Sequence, residues 1–308
     1  MRPYFYCLRV MRKRYVSVNE FAANANRPER TVRNWCHERK IAGAVLKGKT
    51  WLIPEDAKVP VVGSGSRIVF PLLKRLREEK KAKLSGGIYH RTQIDLTYNS
   101  NHIEGSKLTH DQTRHIFETE TIGLANKSIK VDDILETINH FRCIDYIIDY
   151  TKHPLSEGLI KHLHLMLKGG TSDSRKEYFK VGDYKTLPNE VSGERTCAPE
   201  DVAKEMKILI RKYNALENKT LDDIIDFHYR FEKIHPFQDG NGRVGRLIMF
   251  KECLANNIVP FIITDELKLF YYRGLREWPK VQGYLRDTIL TAQDEYKKLL
   301  SYFRVPLM

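Results

Sequence analysis

No apolar run in this 308-residue chain approaches the roughly 20 residues needed to cross a bilayer, which argues against a membrane-spanning helix. Cysteine is sparse: Cys7, Cys36, Cys143, Cys197 and Cys253 are odd in number, widely separated and free of CxxC spacing. That pattern speaks against a disulfide framework and against a zinc site, and it fits a reducing, cytoplasmic setting. The basic segment from Met1 to Arg14 lacks the continuous apolar core and small-residue cleavage site of a secretory signal. It reads as extended or frayed, with Met11 as an alternative start. Repeats and low-complexity tracts are also missing. What remains, 42% hydrophobic and 30% charged residues, is the composition of a globular chain able to form one large core and a smaller module.

Positive charge is unevenly spread. The chain carries a net +13, and residues 1–60 hold thirteen Lys and Arg against five Asp and Glu, so eight of the thirteen net charges lie in that short stretch. A basic end on a nearly balanced body points to a polyanionic partner there. Within it, Ser17 and Glu20 have capping-box spacing at the start of a helix, with Phe21, Ala22 and Ala25 as its apolar face. Pro28 is placed to open a second helix carrying Val32 and Trp35 at i,i+3. Residues 41–53 alternate like a hairpin with Lys47-Gly48-Lys49 at its tip. Helix, turn, helix and hairpin make a winged helix-turn-helix over residues 1–60.

Val59 to Ser66 reads as a linker, and residues 61–87 as linker plus connecting helix, with Leu72–Leu84 helical and ended by Gly86-Gly87. From residue 88 to 308 helical patterning dominates. It predicts helices near 91–103, 109–121, 130–151, 156–168, 199–216, 221–235, 242–256 and 270–302. Tyr184 to Pro199, with Pro188 and Ser192-Gly193, fits a short hairpin better than a helix.

The densest chemistry lies in His235-Pro-Phe-Gln-Asp239-Gly240-Asn241-Gly242-Arg243-Val-Gly-Arg246. His235-Pro236 ends one helix, because a residue before proline is pushed out of helical geometry. Gly240-Asn241-Gly242 permits backbone N–H groups to converge on an anion at the start of the next helix. Arg243 and Arg246 then occupy its first turns, where a cation is ordinarily disfavoured by about 0.3–1 kcal/mol. Phosphate oxygens would reverse that penalty. Asp239 offers a hard oxygen for magnesium, and His235 is a base suited to neutral pH.

At these residues the chain resembles the Fic-domain family, whose signature HPFx(D/E)GNGRxxR is filled at every fixed position. The resemblance implies the mostly α Fic (Fido) fold with a hairpin flap, and transfer of AMP from ATP to a protein hydroxyl. It implies that His235 deprotonates a target Ser, Thr or Tyr and that Asp239 holds Mg2+. Gly240 to Gly242 would cradle the phosphates, Asn241 would meet the α-phosphate side, and Arg243 and Arg246 would steady the β- and γ-phosphates. Ser100-Asn-His-Ile-Glu104-Gly105 resembles the family's inhibitory motif (S/T)xxxE(G/N). Ser100 and Glu104 are i,i+4 on one helix face, and Glu104 is expected to pair with Arg246. Taken as exposed, that pair is worth about 0–1 kcal/mol, with steric blocking of the γ-phosphate the larger effect. By position, Asn189, Glu190 and Val191 are flap residues; Tyr271 and Tyr272 resemble aromatics near the nucleotide pocket of relatives, with tyrosines that pack a helix as the other reading.

The first module resembles excisionase/MerR-like helix-turn-helix proteins through Val18-Asn-Glu-Phe-Ala, Arg30-Thr-Val-Arg-Asn-Trp35 and Trp51-Leu-Ile-Pro54. That resemblance implies Arg30, Thr31, Arg33 and Asn34 in the DNA major groove and Lys47 and Lys49 on phosphates. The expected protein is an autoinhibited Mg-ATP-dependent protein adenylyltransferase with a DNA-binding module, no membrane partner, and self-association left open. A transcriptional regulator whose Fic domain senses nucleotide or partners is the alternative from another class. Removal of AMP from a modified protein is a third reading.

Overall fold

The computed structural model describes residues 14–25, 27–37, 40–48, 50–59, 71–123, 128–191 and 193–306, and of Arg30 and His37 the backbone alone. The expected N-terminal extension and most of the expected linker lie outside the described residues. The chain divides into two compact units, Met1–Arg67 and Ile68–Met308.

In the first unit the Ser17 side chain accepts from the Glu20 N–H while the Glu20 carboxylate accepts from the Ser17 N–H. This capping box opens α1 (Val18–Asn24), and α2 (Glu29–His37) follows Pro28. The expected hairpin forms as β2 (Val45–Lys47) and β3 (Thr50–Pro54), with Lys47 opposite Thr50. A further strand, β1 (Tyr15–Ser17), pairs antiparallel with β3 in the order β1-β3-β2. The core is Val18, Phe21, Ala22, Val32, Trp35, Cys36, Ile41 and Ile53.

The second unit is mostly helical. Its helices are α3 (Pro71–Ala82), α4 (Ile88–Ile103), α5 (His110–Thr119), α6 (Val131–Tyr150) and α7 (Glu157–Lys168). After a two-stranded hairpin, β4 (Glu190–Val191) with β5 (Glu194–Arg195), come α8 (Pro199–Asn214), α9 (Leu221–Ile234) and α10 (Asn241–Ala255). The last two are α11 (Lys268–Glu277) and α12 (Gly283–Tyr302). The expected single helix at 270–302 is therefore two. Pro279 removes a backbone donor and the chain turns before restarting at Gly283. Helix α3 packs on α4 and α6 and buries Leu72, Leu73 and Leu76, so it is part of the second unit's core and not a free connector. Helix α10 is buried on nearly every face, with α4, α6, α7 and α9 around it. A helix enclosed in this way holds its N-terminus rigidly, and that end carries the signature loop.

Candidate active site

Helix α9 ends on His235, whose N–H still donates to the Phe231 carbonyl at 2.9 Å while φ has turned to +51°. A non-glycine residue in this left-handed region costs about 1 kcal/mol or more, so the surroundings must hold it there. Three residues on, the loop closes on itself. Asn241 Nδ2 donates to the Phe237 carbonyl and Asn241 Oδ1 accepts from the Phe237 N–H, both at 2.8 Å. The Asn241 side chain thus shapes the loop from within. Gly240, at φ +83°, makes the turn into α10.

The two arginines leave α10 toward different carboxylates. Buried Arg243 binds Glu136 of α6 and, at 3.2 Å, Asp239. Buried Arg246 donates from Nε to Ser100 Oγ at 3.0 Å, and from Nη2 to the Ser100 carbonyl at 2.9 Å and Glu104 Oε1 at 2.7 Å. Each guanidinium therefore has an anion from within the chain, and phosphate is not required to explain its place. The Glu104 pairing matches the expected partner but not the expected exposure: the two side chains are 29% and 4% exposed. In that partly desolvated setting, removing one partner costs far more than at an open surface. The Glu104 carboxylate also lies against the first turn of α10. A β-carbon on Gly242 would press into Glu104 Oε1 and come within 2.9 Å of Arg246 Nη1. A carboxylate from α4 therefore sits where free N–H groups and a guanidinium favour an anion.

Sequence reasoning missed the cation beside Asp239. Lys168, 2% exposed at the end of α7, donates to Glu136 Oε1 at 2.5 Å and to Asp173 Oδ2 and Asp239 Oδ2 at 2.7 Å. Burial raises the Asp239 pKa, but Arg243 and Lys168 outweigh it and hold the carboxyl well below the usual range. Glu136, Asp173 and Asp239 lie close enough together to share a metal, yet an ammonium fills their centre. Asp239, with its side chain half exposed at the mouth of the loop, is the donor that fits magnesium.

His235 is kept neutral: burial, followed by the nearby Lys185 charge, lowers its pKa to about 4. Its Nδ1 is buried without a hydrogen-bond partner. Beside it Glu232 is pushed up to about 8 by burial and by Glu104, against the pull of Arg246. Beyond Glu232 lies a cavity of about 240 Å³ lined by Val191, Tyr229, Tyr272, Leu275 and Arg276. Of the two expected aromatics, Tyr272 lines this cavity. Tyr271 is buried with its hydroxyl 2.5 Å from His228 Nε2.

In the hairpin, Glu190 and Val191 are exposed in β4, whereas Asn189 turns inward and donates to the Phe237 carbonyl at 3.1 Å. In the first unit, Thr31, Arg33 and Asn34 lie on α2 away from buried Val32, Trp35 and Cys36, and Lys47 is exposed beside the hairpin tip. Arg33 lies 3.5 Å from Glu29. The side chain of Arg30 and the whole of Lys49 are outside the described residues.

A loop of this sequence caps one helix and opens a buried second one within a helical body, and residues 154–253 match the Fic/DOC family. The chain is 27% identical over 184 residues to the protein adenylyltransferase Fic of Nematostella vectensis, covering 58% of this chain and 42% of that one. It is 28% identical over 209 residues to the protein of the same name in Drosophila melanogaster, covering 65% and 38%. The chain thus spans under half the length of these curated relatives. A Fic domain containing signaling protein from Bacteroides thetaiotaomicron superposes with a TM-score of 0.59 at 23% identity, over 74% of this chain and 94% of that one. Fic-1 from C. elegans gives 0.58 at 19% identity, over 80% and 74%. These two structural matches speak to the fold.

Proposed function

We propose that this protein is a protein adenylyltransferase, restrained by its own Glu104, that transfers AMP from Mg-ATP to a hydroxyl side chain of a target protein or of itself. The observation that carries this reading is the meeting, at one helix N-terminus, of a neutral imidazole, a half-exposed carboxylate and a guanidinium held by an internal anion. The curated relatives bear the name of this activity. In the reading, the nucleoside occupies the cavity beside Tyr272 and Leu275, and the triphosphate runs along the turn from Gly240 to Gly242. Asp239 holds magnesium, which supplies charge neutralisation to the phosphates. His235 takes the hydroxyl proton as the oxygen attacks the α-phosphorus and pyrophosphate leaves. Arg243 and Arg246 balance charge on the leaving group. Arg246 can do so only after Glu104 has left it, and that exchange is the proposed restraint.

Ser100 and Glu104 form the latch, and the exposed hairpin residues Glu190 and Val191 offer an edge to an extended target segment, with Asn189 anchoring it. The first unit presents Thr31, Arg33 and Asn34 to the DNA major groove and Lys47 to phosphate, with Arg30 and Lys49 assigned on sequence alone. Four described cysteines are free, which agrees with a cytoplasmic setting. Among the described residues no helix is long and apolar enough to cross a membrane.

Intact-mass analysis after incubation with Mg-ATP tests the central claim. Glu104→Gly is expected to gain an adenylyl group about 5- to 150-fold faster than the unmodified chain, given the 1–3 kcal/mol typical of such coupling. No adduct on the variant itself or on added cell protein, with any of the four nucleoside triphosphates, would defeat it.

A further inference from the structure

Lys185 is 3% exposed and, among the described residues, has no carboxylate partner. Its Nζ donates only to neutral oxygens: Asn189 Oδ1 at 2.8 Å, Thr196 Oγ1 at 2.6 Å and the Ile234 carbonyl at 3.4 Å. Its backbone N–H donates to the Pro236 carbonyl at 2.8 Å. Those two carbonyls are the ones on either side of His235. Neighbouring residues extend the grip, Leu187 N–H to Gln238 Oε1 at 3.4 Å and Asn189 Nδ2 to the Phe237 carbonyl. Residues 185–189 therefore lie along the signature loop from Ile234 to Gln238 and tie it to the base of the hairpin.

An ammonium buried without a counter-ion is expensive to keep. Burial lowers its pKa to about 8, so it remains charged through the acidic and neutral range. The charges around His235 explain its use. Glu104 from α4 and Asp239 in the loop both favour an imidazolium, as does the Glu232 carbonyl on α9. Lys185 is the cation set against them. Near Lys185 itself the ionisable group is the Cys197 thiol, with Asp201, Glu205 and Glu200 behind it.

We propose that Lys185 is a positioning residue for His235, gripping the two carbonyls that flank the ring and setting beside it an ammonium without a carboxylate partner among the described residues. The proposal rests on the reading of His235 as the base. It assigns the part of that task that falls to a strap outside the signature.

Histidine-labelled protein, with the His235 signal identified by its loss in His235→Ala, permits an NMR titration of the ring in the full chain. In the wild type the midpoint should lie well below the ordinary value of about 6.5. Lys185→Met and Lys185→Gln should raise it by about one unit, as expected for loss of a near like charge. Lys185→Arg should restore it. An unmoved midpoint in the neutral variants, or an equal rise in the arginine variant, overturns the proposal. If both neutral variants fail to fold, a wild-type midpoint at or above 6.5 overturns it, and a low midpoint preserved by arginine upholds it. The readout is the ring, so absence of AMP transfer would defeat the proposed function without touching this result.

Discussion

At the scale of single residues, function concentrates where the chain tolerates strain and orphaned polar atoms. His235 combines a positive φ, a buried Nδ1 without a partner and a lowered pKa. The positive φ caps α9 through the backbone, and the ring adds nothing to that cap. His235→Ala is therefore expected to reduce adenylyl transfer about 10²- to 10⁴-fold, as for loss of a general base, while denaturant unfolding of the protein changes little. Radiolabel transfer from α-labelled ATP, measured in the Glu104→Gly background, checks it. Ser100→Ala is a different kind of change, leaving the buried Arg246 Nε without its acceptor. A stability loss of about 1–3 kcal/mol should appear in urea titration. The pairing of Glu104 with Arg246 was legible because each of the two motifs is short and contiguous. Lys168, Glu136 and Lys185 were not, because each comes from a separate segment and in sequence looks like one more charge on a solvated face. Only the fold brings them to the loop.

Elements obey the same division between local and distant causes. The capping box of α1, the hairpin of β2 and β3 and the short hairpin after Tyr184 are written in neighbouring residues, and sequence patterning placed all three. Strand β1 was missed. Its three residues become a strand only by pairing with Leu52, Ile53 and Pro54 of β3. Periodicity alone also ran through Pro279 and merged α11 with α12, although the apolar positions on both sides face one core. Asn241 clamps the signature loop from within. Asn241→Ala leaves the buried Phe237 N–H without its side-chain acceptor and removes one of two side-chain donors to its carbonyl. We expect a loss of about 1–3 kcal/mol in urea unfolding, with nucleotide binding weakened as the turn into α10 loosens. Unaltered stability in this variant would mean that the clamp is dispensable.

Across the whole molecule, three histidines are sealed in the second unit. Burial first, and the charges of Arg246 and Arg243 next, hold His140 at about 3; burial and Arg246 hold His228 at about 3; burial holds His164 at about 4. All three stay neutral in the folded chain, whereas the unfolded chain protonates them below about 6.5. The unfolded state thus binds more protons from about pH 6.5 down to about 4, so stability falls as pH falls through that window. Each histidine contributes a slope of at most about 1.4 kcal/mol per pH unit. Calorimetry between pH 7 and 4.5 should show the melting temperature of the second unit dropping steeply, and a flat profile would contradict the burial of these rings. The lysine at the end of α7 carries a consequence of another kind. Its ammonium, together with the Arg243 guanidinium, offsets most of the charge of the carboxylates that crowd the loop, so the scaffold does not depend on a divalent ion to fold. Chelation with EDTA should therefore leave the thermal transition where it is, and magnesium should matter only when a nucleotide arrives to share it.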